Sequence, residues 1–276
     1  INGRHWGVGD LSIEERYIKA IDAGIDQFGG EKDTEVVIEL VKKGLMPLSR
    51  IDASVKRILK NKFDLGLFDN PYVEVDQVKS RVNTERNIKL GKEAQKQSMV
   101  LLKNDSTLPL EKNINIFVDG FNAKSIVHGN VVSDIKDADV IVSYVHTVFN
   151  GNQPSGIDRL VDNVLSSIFP NQDLNFSPEI LEKLTEFSSI KPLIVIVDLN
   201  RPAILDSINQ MSSALVGTFG VDESVIFETL FGESKPTGKL PFEIPSSMKE
   251  VNEQLEDVPD DTMNPTFKFG FGLTYP

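Results

Sequence analysis

The residues able to do chemistry in this sequence fall into a few arrangements. There is no cysteine, so thiolate nucleophiles, thiolate metal sites and disulfides are excluded. His5, His128 and His146 lie far apart and lack metal-ligand spacing. His146 follows the apolar run Val140–Val145, and an imidazole at a strand end can face a pocket; a solvent-facing or internally satisfied ring is the alternative. The stretch from Gly232 to Lys239 has the flavour of a phosphate loop. It carries one residue too many between its glycines, Leu240 where a magnesium-binding hydroxyl belongs, and a helical segment before it. Gly217-Thr218-Phe219-Gly220 is too short for a dinucleotide fingerprint. No cofactor and no metal is expected. Loop carboxylates remain: Glu31 after Gly29-Gly30, and Asp158, Asp162 and Asp173 in a stretch without glutamate. Asp158-Arg159 follows Pro154-Ser155-Gly156, a loop sequence. Each acid also suits a solvated surface, and Glu31 suits the first turn of a following helix.

The elements that must position these groups follow from periodicity. Ser12 and Glu15 form a capping box, followed by Ile13, Tyr17, Ala20 and Ile21 on one face, with Gly24 as the stop. Ile25–Phe28 reads as a short strand. A second helix is expected from about Asp33 to Lys43, and a third after Ser49, with Ser49 and Asp52 available as caps. Helix, strand and helix are too little for a core of their own and look like the end of a repeating α/β unit. Asp69-Asn70-Pro71-Tyr72 begins a linker that runs to Asn83, and Thr84 caps a helix to about Ser98.

Beyond it, strands and helices alternate, which predicts an α/β class with a mostly parallel sheet covered on both faces. The strands expected are Met99–Leu102, Ile114–Val118, Val140–Val145, Leu193–Asp198 and Leu215–Phe219, with Asn130–Ser133 weaker. Helices are expected after Ser177-Pro178, after Asn200 with Pro202 in the first turn, and after Asp222. The formal net charge of −12, with no basic stripe, argues against nucleic acid as a partner. No apolar run approaches the roughly 18 residues of a membrane span, so no membrane role is expected.

Four stretches together resemble family 3 glycoside hydrolases. They are Arg50–Leu59 leading to Lys62–Tyr72, Ser98–Asp105 with Leu108-Pro109-Leu110, Leu230–Glu233 with Pro236 and Gly238–Phe242, and Phe269–Tyr275. The resemblance covers nearly the whole chain. It implies the tail of a (β/α)8-type barrel over residues 1–69, a linker over 70–83, and an α/β/α sandwich over 84–276. It implies a retaining exo-acting enzyme on terminal β-linked sugars, β-D-glucosides foremost, with xylosides or N-acetylglucosaminides as alternatives. A non-catalytic domain that binds sugar or completes another chain is a further reading. Such chemistry needs two carboxyl groups about 5 Å apart, one ionised and one protonated.

The family's nucleophile is an aspartate followed by tryptophan. The one tryptophan here is in Arg4-His5-Trp6-Gly7, where a histidine stands instead. The nucleophile is therefore expected upstream of residue 1, with the missing barrel portion as a partner; Asp10, just before a helix cap, is the weaker alternative. Among the loop acids, Asp158 is the acid/base candidate, and Glu31 and His146 are the sugar-binding candidates that the resemblance implies.

Overall fold

The computed structural model describes residues 8–147, 173–255 and 258–275, and the chain divides into two compact units, Ile1–Val82 and Asn83–Pro276. In the first unit, α1 (Ile13–Asp22) starts on the full Ser12–Glu15 capping box. α2 spans Glu35–Lys42 and α3 spans Leu48–Asp64. Tyr17, Ile21, Leu40 and Met46 form a small buried core, with Phe28, Val37 and Ile51 packed against it. α3 begins after Pro47, which sits at the cap position without a side-chain bond, two residues ahead of the expected cap, Ser49. The fixed φ of proline favours the turn into a helix, so no hydroxyl cap is needed.

The expected strand Ile25–Phe28 does not form. Arg50 on α3 donates to the carbonyls of Ile21 at 2.7 Å and Ile25 at 3.3 Å, and Asp26 takes up side-chain partners on the same helix. The Ile25 carbonyl is thus taken by a guanidinium instead of a ladder partner. The apolar pattern was right about packing, since Phe28 stacks on Tyr17 at 4.7 Å, and wrong about pairing.

The first unit ends with a short helical turn, α4 (Val78–Arg81), and the second opens with α5 (Glu85–Ser98), which Thr84 caps by accepting from Asn87 N–H. Six strands follow: β1 (Val100–Asn104), β2 (Asn115–Asp119), β3 (Asn130–Val131), β4 (Val140–His146), β5 (Leu193–Asp198) and β6 (Ala214–Thr218). They form one sheet in the order β1-β6-β5-β4-β2-β3, parallel except for β1 against β6. The helices that pack on this sheet are α6 (Pro178–Ile190), α7 (Asp206–Met211) and α8 (Glu223–Leu230); a last helix, α9 (Met248–Glu253), follows.

Alternate residues feed two cores. Ile194 and Ile196 of β5 join Val225, Phe227 and Leu230 of α8 on one face. Leu193, Val195 and Val197 join Leu184 of α6 and Ile208 of α7 on the other. All six residues of β5 are buried, and its large apolar side chains contribute about 1.5–3 kcal/mol each.

Two further helix starts differ from the sequence reading. The helix expected near Pro202 begins only at Asp206, because Asn200 turns its amide to Asp198 and Ile204 N–H donates to Leu174 O at 2.9 Å. α9 was not anticipated, although Ser247 accepts from Glu250 N–H as a conventional cap.

The antiparallel edge strand β1 is closed by the C-terminal segment. Leu273 N–H donates to Leu101 O at 2.8 Å, and Gly238 N–H donates to Met99 O at 3.0 Å. A β-carbon on Gly238 would lie 2.5 Å from Met99 O, and one on Gly272 would lie 2.4 Å from Gly238 O. Only glycine permits this approach. The matching glycines in the sequence motifs are therefore structural.

Candidate functional site

Strands β2 and β4 are neighbours, yet the chain leaves β2 outward to β3 and leaves β4 the opposite way to β5 and β6. Such a reversal opens a crevice beyond the carboxyl ends of the strands, where ligands of open α/β sheets bind. Gly120, with φ of 79°, follows β2 there, and a β-carbon on it would meet Tyr144 O at 2.7 Å. Asp119, at the end of β2, is committed to structure. Its Oδ2 accepts from Ser143 Oγ and from Lys183 Nζ on α6, both at 2.7 Å.

The polar constellation sits one strand along. His146 ends β4, Asp198 ends β5, and the two are register partners. Asp198 is buried, whereas the His146 side chain is 69% exposed. Asp198 Oδ1 accepts from Gly220 N–H at 3.1 Å, and Oδ2 accepts from Asn200 Nδ2 at 2.6 Å. His146 Nδ1 lies 3.5 Å from Asp198 Oδ2, too long for a good hydrogen bond but close enough for charge attraction when the ring is protonated. The ring stands edge-on to Tyr144 at 4.7 Å. Burial pushes the Tyr144 hydroxyl above the ordinary tyrosine range; the Asp198 charge adds to this, and a hydrogen bond with Thr218 opposes it. With Nδ1 turned to the carboxylate, Nε2 is the atom left for a ligand. The arrangement is an oriented, solvent-facing imidazole on a rigid, buried carboxylate. It can donate to or accept from a ligand hydroxyl.

The other sequence candidates separate. Asp158, Asp162 and His5 lie outside the described residues. Asp173 is an exposed turn acid whose Oδ1 accepts from Asn175 N–H at 2.9 Å. Asp10 is an exposed turn residue. His128 is held by Glu233 at 3.2 Å and by the Phe231 ring, a structural role. Glu31 belongs to the first unit, ahead of α2, whose first-turn acid is Glu35. It lines a cavity of about 330 Å³ together with Tyr17 and Asp33. Burial first, and then the charges of Glu31 and Asp33, raise the Tyr17 hydroxyl above its ordinary range.

Sequence reasoning named His146 but passed over Asp198, Asn200 and Gly220. The signal for Asp198 was a lone carboxylate closing an otherwise wholly apolar parallel strand. Among the described residues there is no group of three or more His, Asp or Glu that could hold a metal ion.

Comparison with known proteins adds a family. Residues 128–275 match the model of the glycosyl hydrolase family 3 C-terminal domain. The chain is similar to a probable beta-glucosidase C of Aspergillus oryzae, 37% identical over 278 residues, covering 99% of this chain and 42% of that protein. It is similar to a periplasmic beta-glucosidase/beta-xylosidase of Dickeya chrysanthemi at 36% identity, covering 99% of this chain and 41% of that protein. The chain thus spans less than half the length of these relatives. Its fold resembles the crystal structure of a beta-glucosidase from Listeria innocua in complex with isofagomine, with a TM-score of 0.61 and 20% identity over 93% of this chain and 44% of that one.

Proposed function

The chain belongs to glycoside hydrolase family 3, and from that premise we propose that it is part of a retaining exo-β-glycosidase that removes terminal β-linked sugars, β-D-glucosides foremost. The observation that carries this reading is the 37% identity to a probable beta-glucosidase C along 99% of the chain, through both units. The first unit is read as the end of a (β/α)8-type barrel, joined by the segment up to Asn83 to the α/β/α sandwich.

In this reading the reaction needs a carboxylate nucleophile and a second carboxyl group that protonates the leaving oxygen and then activates water. Asp158 is the acid/base candidate, on the connection that leaves β4 directly after His146. His146 holds a sugar hydroxyl through Nε2, with Nδ1 facing buried Asp198. Glu31, on its own cavity in the first unit, is a separate sugar-binding candidate. Beta-xylosides are the second reading, favoured by the double name of the Dickeya relative.

Hydrolysis of p-nitrophenyl β-D-glucoside and β-D-xyloside by the longest natural form of the protein tests this. The expected outcome is a higher kcat/KM on the glucoside, with His146→Ala raising KM more than it lowers kcat. Turnover of neither glycoside would overturn the reading.

A further inference from the structure

A second cavity in the sandwich unit, of about 610 Å³, has a lining that includes neither His146 nor Asp198. Its apolar walls include Pro202, Phe242 and Phe269, and its polar groups are Glu243, Gln254 and Asp260. Among the described residues that line it there is no lysine, arginine or histidine, so they offer an anion no cationic partner.

The polar groups are built in. Glu243 is only 8% exposed, and its Oε1 accepts from Thr262 N–H at 2.7 Å and from Gln254 Nε2 at 3.3 Å. Gln254 Nε2 spends its second hydrogen on Thr262 Oγ1 at 2.7 Å. What stays open toward the cavity is acceptor capacity. Glu243 Oε2 and Gln254 Oε1 take no hydrogen bond among the described residues, and Asp260 adds an exposed carboxylate. Glu243 Oε2 is therefore an accessible acceptor on a side chain held in place by its other oxygen, and it suits a ligand that brings hydrogens.

Two ligand chemistries bring them, organic cations and polyols. The size and the walls favour the polyol. The volume lies within the range that takes a small molecule rather than a lone ammonium group. Flat faces of phenylalanine and proline suit the C–H face of a pyranose whose equatorial hydroxyls point outward to the acceptors. Hydroxyl-to-carboxylate bonds are of the strong, charge-assisted kind.

We infer that this cavity is a second saccharide site, which holds a β-linked pyranoside apart from the strand-end histidine. The identity of the sugar rests on the β-glycosidase reading above; the donor-rich, flat-faced ligand does not.

The test is titration of the full chain, followed by NMR saturation transfer, with two non-hydrolysable probes, methyl 1-thio-β-D-glucopyranoside and 4-thiocellobiose. The variants are Glu243→Gln, which keeps the acceptor for Thr262, and Phe269→Ala, at a ring 60% exposed, which spares the fold. Each is expected to weaken binding about tenfold, while His146→Ala leaves this binding in place. Absence of binding, or binding indifferent to both substitutions, overturns the inference. So does n-butylammonium binding at these residues with no sugar binding. If Glu243→Gln fails to fold, Phe269→Ala carries the test. Hydrolysis is assayed separately: sugar binding lost in Phe269→Ala without any turnover keeps the site and sinks the enzyme reading, and the reverse pattern does the opposite.

Discussion

His146 Nδ1 and Asp198 Oδ2 stand 3.5 Å apart at matched positions of adjacent parallel strands, one side chain open to solvent and the other buried. The pair divides its labour. The carboxylate also ties down the loops after β5 and β6 through Asn200 and Gly220, so it belongs to the scaffold. The imidazole belongs to the ligand.

Asp198→Ala should therefore cost about 2 kcal/mol of stability, since it removes a buried charged acceptor that Gly220 N–H and the Asn200 amide share. His146→Ala should change stability by less than about 0.5 kcal/mol, as expected for an exposed side chain. Urea denaturation of both variants measures the difference. Equal losses would make the histidine structural and remove it from the site.

Gly238→Ala should destabilise the sandwich by about 2–3 kcal/mol, because the added carbon meets Met99 O at 2.5 Å and pushes apart the hydrogen bond between these residues. Thermal unfolding checks this. Gly91→Ala is the control, since a β-carbon there meets nothing within 4 Å.

Tyr275 gives an alkaline prediction. Its hydroxyl donates to Thr229 O at 2.8 Å, and burial pushes it above the usual tyrosine range. A folded-state value above the unfolded one, which is about 10, means that this stability is complete below pH about 10 and is lost as pH rises through the folded value. Tyr275→Phe should cost about 1 kcal/mol at neutral pH and flatten the alkaline limb of the stability curve. Tyr144, shifted the same way, keeps part of that limb in the variant.

Asp26 gives the acid counterpart. Hydrogen bonds from Arg57 and then Ser54 hold its carboxyl well below the ordinary range, with charge from both Arg57 and Arg50 adding to this. A depressed folded value means that the contribution is present above the unfolded value, near 4, and is lost as pH falls below it toward the folded one. Hydrogen exchange followed from pH 5 to 2 should show the Ile25–Phe28 segment loosening with acid. Asp26→Asn should show that looseness already at pH 5. An exchange pattern independent of pH would refute the clamp.

What could be read in the sequence was whatever one face of one element decides. The apolar runs of β4, β5 and β6 announced a doubly covered sheet, because strands buried on both sides need no polar alternation. The Ser12–Glu15 box, Thr84 and Pro178 marked helix starts, because caps act within a turn. Ile25–Phe28 misled for the opposite reason: whether an apolar run becomes a strand depends on a neighbour, and Arg50 on a later helix took the carbonyl instead. The start near Pro202 failed because Asn200 found a buried carboxylate two residues back. At the site, His146 was legible as a strand-end residue, but its neighbour Asp198 is supplied only by strand register.

The seam along β1 has a further consequence. Leu101 and Leu273 pair across most of the second unit's sequence. Closing so long a loop is entropically demanding, and contacts of this kind slow folding. A single proteolytic nick within the intervening surface segments would leave every contact of the seam in place, yet turn an intramolecular docking into an encounter between two fragments. The effective concentration that now holds the seam shut would vanish, and re-association would become a matter of dilution. The integrity of the covalent chain, more than any one contact at the edge, is what keeps the sheet closed.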